Sequence, residues 1–366
     1  MSDLRAVLTA EIRARGPLSV ARFMALALGH PDLGYYRRQN PLGAAGDFVT
    51  APEVSQMFGE IMGLWLAETW SGLGRPAPAR LVELGPGRGT LMTDLLRATA
   101  RLESLRRSLS IHLVETSGRL REVQAGRLAG VSATWHDDLG EVPQGSLLLV
   151  ANEFLDALPV HQLVRTEEDW VERRVGLADD GALTFVLDDR PSPLAEQVPE
   201  RDAAAPGAVA EVSPARAALA RQIGERIAAS GGVALLVDYG AWATGPTGDT
   251  LQAVRGHAPC APLACPGEAD LSAQVDFRAF AEAACAGGAA VYGPVPQGTF
   301  LRALGIEARA LQLLGRAGAE QRRGLRADLF RLTDPSAMGE VFKVLVLTSP
   351  NGPPPPGFGA PTMLSR

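Results

Sequence analysis

The stretch Leu81-Val82-Glu83-Leu84-Gly85-Pro86-Gly87-Arg88-Gly89-Thr90 decides the fold. A short apolar run beginning at Arg80 ends beside an acid. A G-x-G-x-G turn follows and opens a helical pattern from Thr90 to Leu105. An apolar run this short, closed by glycines, suits a strand buried on both faces of a parallel sheet. The glycines allow a tight turn and close backbone approach. The helix start adds unpaired N–H groups at the positive end of the helix dipole. Such a turn holds a pyrophosphate or an amino-acid carboxylate; a purely structural turn is the competing reading.

Two details sharpen the motif. Gly89 follows Gly87 by two residues, unlike the G-x-G-x-x-G of dinucleotide sites. Glu83 stands just before the turn, where it repels phosphate and suits a cationic or amine-bearing ligand. S-adenosylmethionine, with an ammonium and a sulfonium, is such a ligand.

Working outward, Ser110–Glu115, Thr134–His136, Gly145–Ala151 and Val233–Asp238 read as further strands. Helical patterns separate several of them, which predicts βαβ units and a mostly parallel sheet. Ligands in such sheets bind outside the carboxyl ends of the strands. Glu115 closes the second strand, where an acid binds ribose hydroxyls; a solvated strand-end acid is the alternative. His136-Asp137-Asp138 closes the third, and one of the two aspartates is expected at the adenine amino group, with a plain turn as the alternative. Asn152-Glu153-Phe154-Leu155-Asp156 follows the fourth. Polar residues directly after an apolar run point to the same crevice as Gly85 and Glu115.

The rest of the chain supports a soluble α/β enzyme with additions. At 366 residues it is long for one core. A hydrophobic share of 46 % with 21 % charged residues excludes a wholly disordered chain and a coiled coil. The net charge of −6 gives no sign of a nucleic-acid partner. No apolar run is long enough to span a membrane. The three cysteines, Cys260, Cys265 and Cys285, argue against a disulfide framework. His257 with Cys260 and Cys265 lacks a fourth ligand, so no metal is expected. The N-terminus has no signal-peptide pattern, and a cytoplasmic location is expected.

Residues 1–30 read as two helices broken at Gly16-Pro17, with Ser19 capping the second. Gly43–Asp47 reads as loop, and a helix runs from Pro52 to Trp70. Residues 160–190 break the α/β rhythm as an inserted meander. Pro214–Ala229 and Phe277–Ala284 are helical, and Phe342–Leu347 is a late antiparallel strand. Three parts are expected: an N-terminal helical region at 1–74, a core at 75–349 with a β-rich insertion at about 160–210, and a disordered Pro-rich tail at 350–366.

Taken together, these segments resemble a known family. Glu83-Leu-Gly-Pro-Gly-Arg-Gly-Thr90 resembles motif I of class I S-adenosylmethionine-dependent methyltransferases. Gly46-Asp-Phe-Val-Thr-Ala-Pro-Glu-Val-Ser-Gln56, His112-Leu-Val-Glu115, Asn152-Glu-Phe-Leu-Asp-Ala-Leu-Pro-Val160, Val237-Asp-Tyr-Gly240 and Ala269-Asp-Leu-Ser-Ala-Gln-Val-Asp-Phe277 are similar to segments of the MidA family. The likeness runs from about Leu18 to Leu347. It implies a class I (Rossmann-like) methyltransferase fold, bound S-adenosylmethionine and a protein substrate presenting an arginine. It also implies that Thr50 and Pro52-Glu53 fold over the cofactor as a lid or wall.

On that reading the cofactor shell comprises Thr50, Pro52, Glu83, Gly85, Gly87, Gly89, Thr90, Glu115, Asp137, Asp138 and Asn152. An arginine guanidinium stays protonated at neutral pH, so its site must hold the fork and accept a proton. Two carboxylates do this, since the planar fork pairs bidentately. Glu153 and Asp156 are the expected pair, with Asn152 orienting the nucleophile. His257, Asp270 and Asp276 are candidates on the substrate side. A structural histidine and a helix cap are the alternatives for His257 and Asp276. Competing functions are a dinucleotide-dependent oxidoreductase, a small-molecule methyltransferase and a non-catalytic assembly or binding protein. A homodimer is among the oligomeric forms left open.

Overall fold

The structure, a computed structural model, describes residues 3–38 and 49–363. The loop read at Gly43–Asp47 and the start of the Gly46–Gln56 segment lie outside the described residues. The chain divides into two compact units. The larger comprises Val49–Phe154, Leu219–Gly240 and Phe280–Arg366; the smaller comprises Met1–Phe48, Leu155–Ala218 and Ala241–Ala279.

The larger unit is built on a sheet whose main path has seven strands: Ala79–Leu84, Leu109–Val114, Ala133–His136, Ser146–Asn152, Gly232–Ala241, Ala290–Pro296 and Phe342–Thr348. Numbered along the chain, they lie in the order 3-2-1-4-5-7-6. The first five are mutually parallel. Phe342–Thr348 runs antiparallel to both of its neighbours. This is the expected Rossmann-like arrangement. The order reverses between Ala79–Leu84 and Ser146–Asn152, and the carboxyl ends of strands at such a reversal open a crevice.

One face of this sheet buries Leu81, Leu148, Leu235 and Val346 in a cluster with Phe58, Trp65 and Leu95. Phe58 and Trp65 lie on the helix Gln56–Gly72, which therefore belongs to the larger unit rather than to a separate N-terminal region. Gly59 makes that packing close. A Cβ there would stand 2.5 Å from the Cβ of Asp94 on the helix Thr90–Thr99.

The smaller unit is assembled from three separate pieces of chain. Helices Leu4–Arg15 and Val20–Gly29 bring Leu4, Leu8, Phe23 and Met24 against Val160, Val175 and Leu271. Ser19 caps the second helix by accepting from the Arg22 amide at 3.0 Å. The expected meander is present as antiparallel strands His161–Arg165, Trp170–Leu177 and Leu183–Pro191, joined by Val209–Val212 and Leu18–Ser19. A second small sheet, Gln252–Arg255, Ala258–Cys260 and Asp270–Ser272, completes it. The expected division at residue 74 and the insertion at 160–210 are thus replaced by a discontinuous unit. Its core requires the N-terminal helices, the meander and residues 241–279 together.

The Pro-rich tail is ordered as far as it is described, contrary to expectation. The Trp65 indole N–H donates to the Pro356 carbonyl at 2.9 Å. Phe358 packs against Phe300 with ring centroids 5.5 Å apart, and the Thr362 amide donates to Val291 at 2.7 Å. Proline content gave no sign of the apolar anchor Phe358. Truncation after Pro350 leaves the buried Trp65 N–H unpaired. The expected loss is at least ~1–3 kcal/mol, read from urea unfolding; an unchanged midpoint would return the tail to a dispensable segment.

Candidate active site at the sheet reversal

Glu83 stands one residue before the end of Ala79–Leu84, level with Leu113 and Val150 on the neighbouring strands. It is 3 % exposed. The Met92 amide, in the first turn of Thr90–Thr99, bonds to its carboxyl. Oε2 is buried without a partner among the described residues. Loss of solvent pushes this carboxyl up to about 8, the Met92 bond opposing the shift. Glu83 is therefore mostly protonated at neutral pH.

Asn152 ends the next strand over, Ser146–Asn152. Its Nδ2 donates to Glu153 Oε1 at 3.1 Å, while its Oδ1 is buried without a partner among the described residues. Glu153 Oε1 also accepts the Ala51 amide at 2.8 Å. Glu153 has φ +51°, an unusual conformation for a residue with a side chain. Strain of this kind clusters at functional sites. The neighbouring strand Gly232–Ala241 holds the turn. Val237 O accepts the Glu153 amide at 2.8 Å, and Asp238 Oδ2 accepts the Phe154 amide at 3.1 Å. Asp238 is fully buried, and its Oδ1 accepts from Tyr239 N at 2.9 Å. Asp238 is a site residue that the sequence motifs left without a role. An acid ending an apolar strand, as Glu83 does, was the available signal.

The glycine turn packs against the same segment. Gly85 has φ +59°, and a Cβ there would lie 2.5 Å from Phe154 Cδ2. Gly87 O accepts from Gln124 Nε2 at 2.8 Å. That amide also reaches Glu115 Oε2 at 3.3 Å, and Gln124 Oε1 accepts from Trp135 Nε1 at 2.8 Å. Glu115 Oε1 accepts the Ser117 amide at 2.8 Å. Gln124 thus couples the glycine turn to Glu115. It was missed by sequence, although a fully buried glutamine one turn after buried Leu120 departs from an apolar stripe.

A short helix, Ala51–Val54, reaches both parts. The Ala51 amide meets Glu153. Glu53 Oε1 bonds the Thr90 hydroxyl, and Glu53 Oε2 lies 3.5 Å from Arg88 Nη1. Arg127 also bonds Thr90. Thr50 occupies the cap position of this helix without a side-chain capping bond, and Pro52 is buried in its first turn.

Arg121, whose Nε donates to the Glu115 carbonyl at 2.6 Å, extends this network to the next strand end. Asp137 pairs with Arg121 at 2.6 Å and is mostly exposed. Asp138 accepts the Gly140 amide at 2.6 Å, capping a short 3-10 turn. The chain passes between units after Phe154, with Glu153 in the larger and Asp156 in the smaller. Within the smaller unit, desolvation pushes the half-buried Asp156 up to about 6, opposed by Arg216. Asp270 accepts the Tyr36 hydroxyl at 3.0 Å. Burial, then Asp270 and Asp156, push the Tyr36 phenol above its usual range. Tyr36 lies in a one-turn helix, Tyr35–Arg38. Asp276 accepts the Arg278 and Ala279 amides, the helix-cap alternative. His257 is exposed at a hairpin turn with φ +60°.

The proton on Glu83 links this site to stability. Its folded value, about 8, lies above the ordinary 4.5. Its contribution is therefore full below about pH 4.5 and is lost as pH rises through 8, at up to ~1.4 kcal/mol per pH unit. Glu83→Gln should flatten that part of the unfolding free energy between pH 5.5 and 8. Equal pH dependence in both proteins would show that Glu83 is ionised when buried.

Comparison with known proteins agrees with this geometry. Residues 61–295 match a family of S-adenosyl-L-methionine-dependent methyltransferases. The mouse protein arginine methyltransferase NDUFAF7, mitochondrial, is 38 % identical over 364 residues, spanning 92 % of this chain and 82 % of its own. The Drosophila melanogaster homologue is also 38 % identical, over 93 % and 83 %. The human protein is 36 % identical, over 92 % and 81 %. A crystal structure from Burkholderia thailandensis bound to S-adenosyl-homocysteine superposes with a TM-score of 0.82 at 29 % identity, covering 97 % of this chain and 94 % of that one. These matches set aside the dinucleotide oxidoreductase. The mitochondrial names of the relatives also overturn the cytoplasmic location expected from the N-terminus. Among the described residues, no helix is long and apolar enough to cross a membrane.

Proposed function

The chain belongs to the family of S-adenosyl-L-methionine-dependent methyltransferases, and from that premise we propose that it methylates a guanidinium nitrogen of a protein arginine. The observation that carries the cofactor half is a pair of buried oxygens, Glu83 Oε2, an acceptor once its carboxyl ionises, and Asn152 Oδ1. They have no partner among the described residues, on adjacent strands at the sheet reversal. Buried polar atoms are rarely left unpaired. Two such acceptors suit a ligand whose amino-acid end brings an ammonium.

In this reading Glu83, Asn152 and the turn Gly85-Gly87-Gly89-Thr90 hold the methionyl end. Glu115 takes the ribose hydroxyls, and Asp137 and Asp138 stand on the adenine side. Thr50 and Pro52 belong to the covering segment. When bound, S-adenosylmethionine supplies an electrophilic methyl group on its sulfonium.

The acceptor half rests on the names of the relatives and on Glu153. A guanidinium, with a pKa above about 12, needs an acid to orient its fork and take the proton lost on methylation. The Ala51 amide and the Asn152 side chain fix Glu153 Oε1. Glu153 binds one edge of the fork and receives that proton, while Asn152 helps to orient it. Asp156 and Asp270 are the substrate-side acids of the smaller unit; Asp276 caps the helix that begins at Phe277.

The test uses the full chain, labelled S-adenosylmethionine and a protein extract lacking this activity, with methylated arginine identified by mass spectrometry. Glu153→Gln should lower transfer by roughly 10²–10⁴-fold. Its affinity for S-adenosylhomocysteine should stay within a few-fold of wild type. Lost cofactor binding would move Glu153 to the cofactor shell, and unchanged transfer would remove it from the reaction. Transfer only to small molecules would overturn the protein-arginine assignment.

A further inference from the structure

Arg216 lies near the start of the helix Pro214–Ser230, in the smaller unit, and is only 6 % exposed. Its guanidinium faces main-chain oxygens of two distant segments. Nε donates to Leu155 at 2.8 Å, and Nη2 donates to Asp156 at 3.2 Å and Ala273 at 2.8 Å. Nη1 donates to Gln274 at 2.7 Å. The Ala273 amide also donates to the Asp156 carbonyl at 3.0 Å. Its own helix start is held in turn, because Ser213 Oγ accepts the Arg216 amide at 3.2 Å and donates to Pro159 at 2.7 Å.

One planar cation therefore ties the main chain at Leu155-Asp156 to that at Ala273-Gln274. A lysine cannot replace it there. An ammonium is a compact point charge with three donors, whereas guanidinium spreads five in a plane. A buried charge satisfied by carbonyl dipoles is also hard to dispense with, since removing it leaves those acceptors without donors.

We propose that Arg216 is a positioning residue for the methyl-acceptor side, fixing the main chain that carries Asp156 and supplying the positive charge beside its carboxyl. The proposal deepens the function above, resting on Asp156 as a substrate-side acid. Among the described residues, the groups that act on Asp156 include Arg216, the amides of Asp156 and Ala157, and Tyr36, whose hydroxyl in turn binds Asp270. Desolvation pushes the Asp156 carboxyl up to about 6, and the Arg216 charge and the two amides restrain it. Asp156 thus stays largely ionised at neutral pH. An anion is what a guanidinium fork requires. Without the cation, the carboxyl should hold its proton across neutrality.

The experiment follows the Asp156 carboxyl by ¹³C NMR in the full chain labelled at aspartate, the signal assigned by its loss in Asp156→Asn. Arg216→Gln should raise the midpoint by about one unit or more. It should also move the acid limb of methyl transfer to higher pH. Arg216→Lys, which keeps the charge and loses the fork, should leave the midpoint near wild type. It should lower kcat with S-adenosylhomocysteine affinity unchanged. The lysine variant decides the matter if the glutamine variant does not fold: wild-type kcat in Arg216→Lys would overturn the clamp. An unmoved midpoint in folded Arg216→Gln would overturn the charge role, whatever the transfer rate. A moved midpoint in a chain that methylates no arginine would leave the charge coupling standing and remove the function it was meant to serve.

Discussion

Where the order of the parallel sheet reverses, a carboxyl group is buried between strands, met among the described residues by the Met92 amide alone. Glu83 costs the isolated fold something, because desolvation holds a proton on it that an ordinary glutamate would release. The surrounding structure depends on that position. The strand ending at Leu84 delivers Glu83 to the reversal. The glycine turn that follows runs close against Phe154, and the strand beside it presents Asn152 with an unmatched oxygen. Catalytic methyltransferase chemistry needs a cationic cofactor, and the fold supplies buried acceptors ready for it.

The Asn152-Glu153-Phe154 turn gets its shape from its neighbour strand rather than from its own sequence. Asp238 accepts amides from Phe154 and Tyr239, and Val237 accepts from Glu153, so a left-handed glutamate is held by bonds on either side. The helix Ala51–Val54 adds a third attachment through the Ala51 amide, while Glu53 reaches the Thr90 hydroxyl and Arg88. Glycine turn, strand end and the helix Ala51–Val54 are thereby one polar network within the larger unit. A perturbation of any one of them should be felt at Glu153.

Much of the larger unit was legible in the sequence, for a physical reason. Strands buried on both faces read as uninterrupted apolar runs, and their ends stand out because an acid or a glycine follows at once. Glu83, Glu115, Asn152 and Asp238 all have that signature. The smaller unit was not legible as a unit, because neighbourhood along the chain says nothing of which piece covers which. Its core joins Leu4, Val175 and Leu271. The boundary between the units falls between Glu153 and Asp156, and nothing in the local sequence marks it. The strand Ala290–Pro296 and the helices from Gln297 to Val341 were not read, and glycine and proline at Gly293-Pro294 interrupt the pattern there. The tail was misread because its proline content hid Phe358.

In the proposed function Glu83 receives the cationic end of the cofactor. This role is tested most directly by calorimetric titration with S-adenosylhomocysteine at pH 7, in two buffers of different ionisation enthalpy. A carboxyl poised at about 8 that becomes ionised on meeting an ammonium must release its proton. Binding should be accompanied by release of close to one proton, with none of that release in Glu83→Gln. Binding that is proton-neutral in the wild type, or no binding by folded protein free of co-purified ligand, would contradict that role.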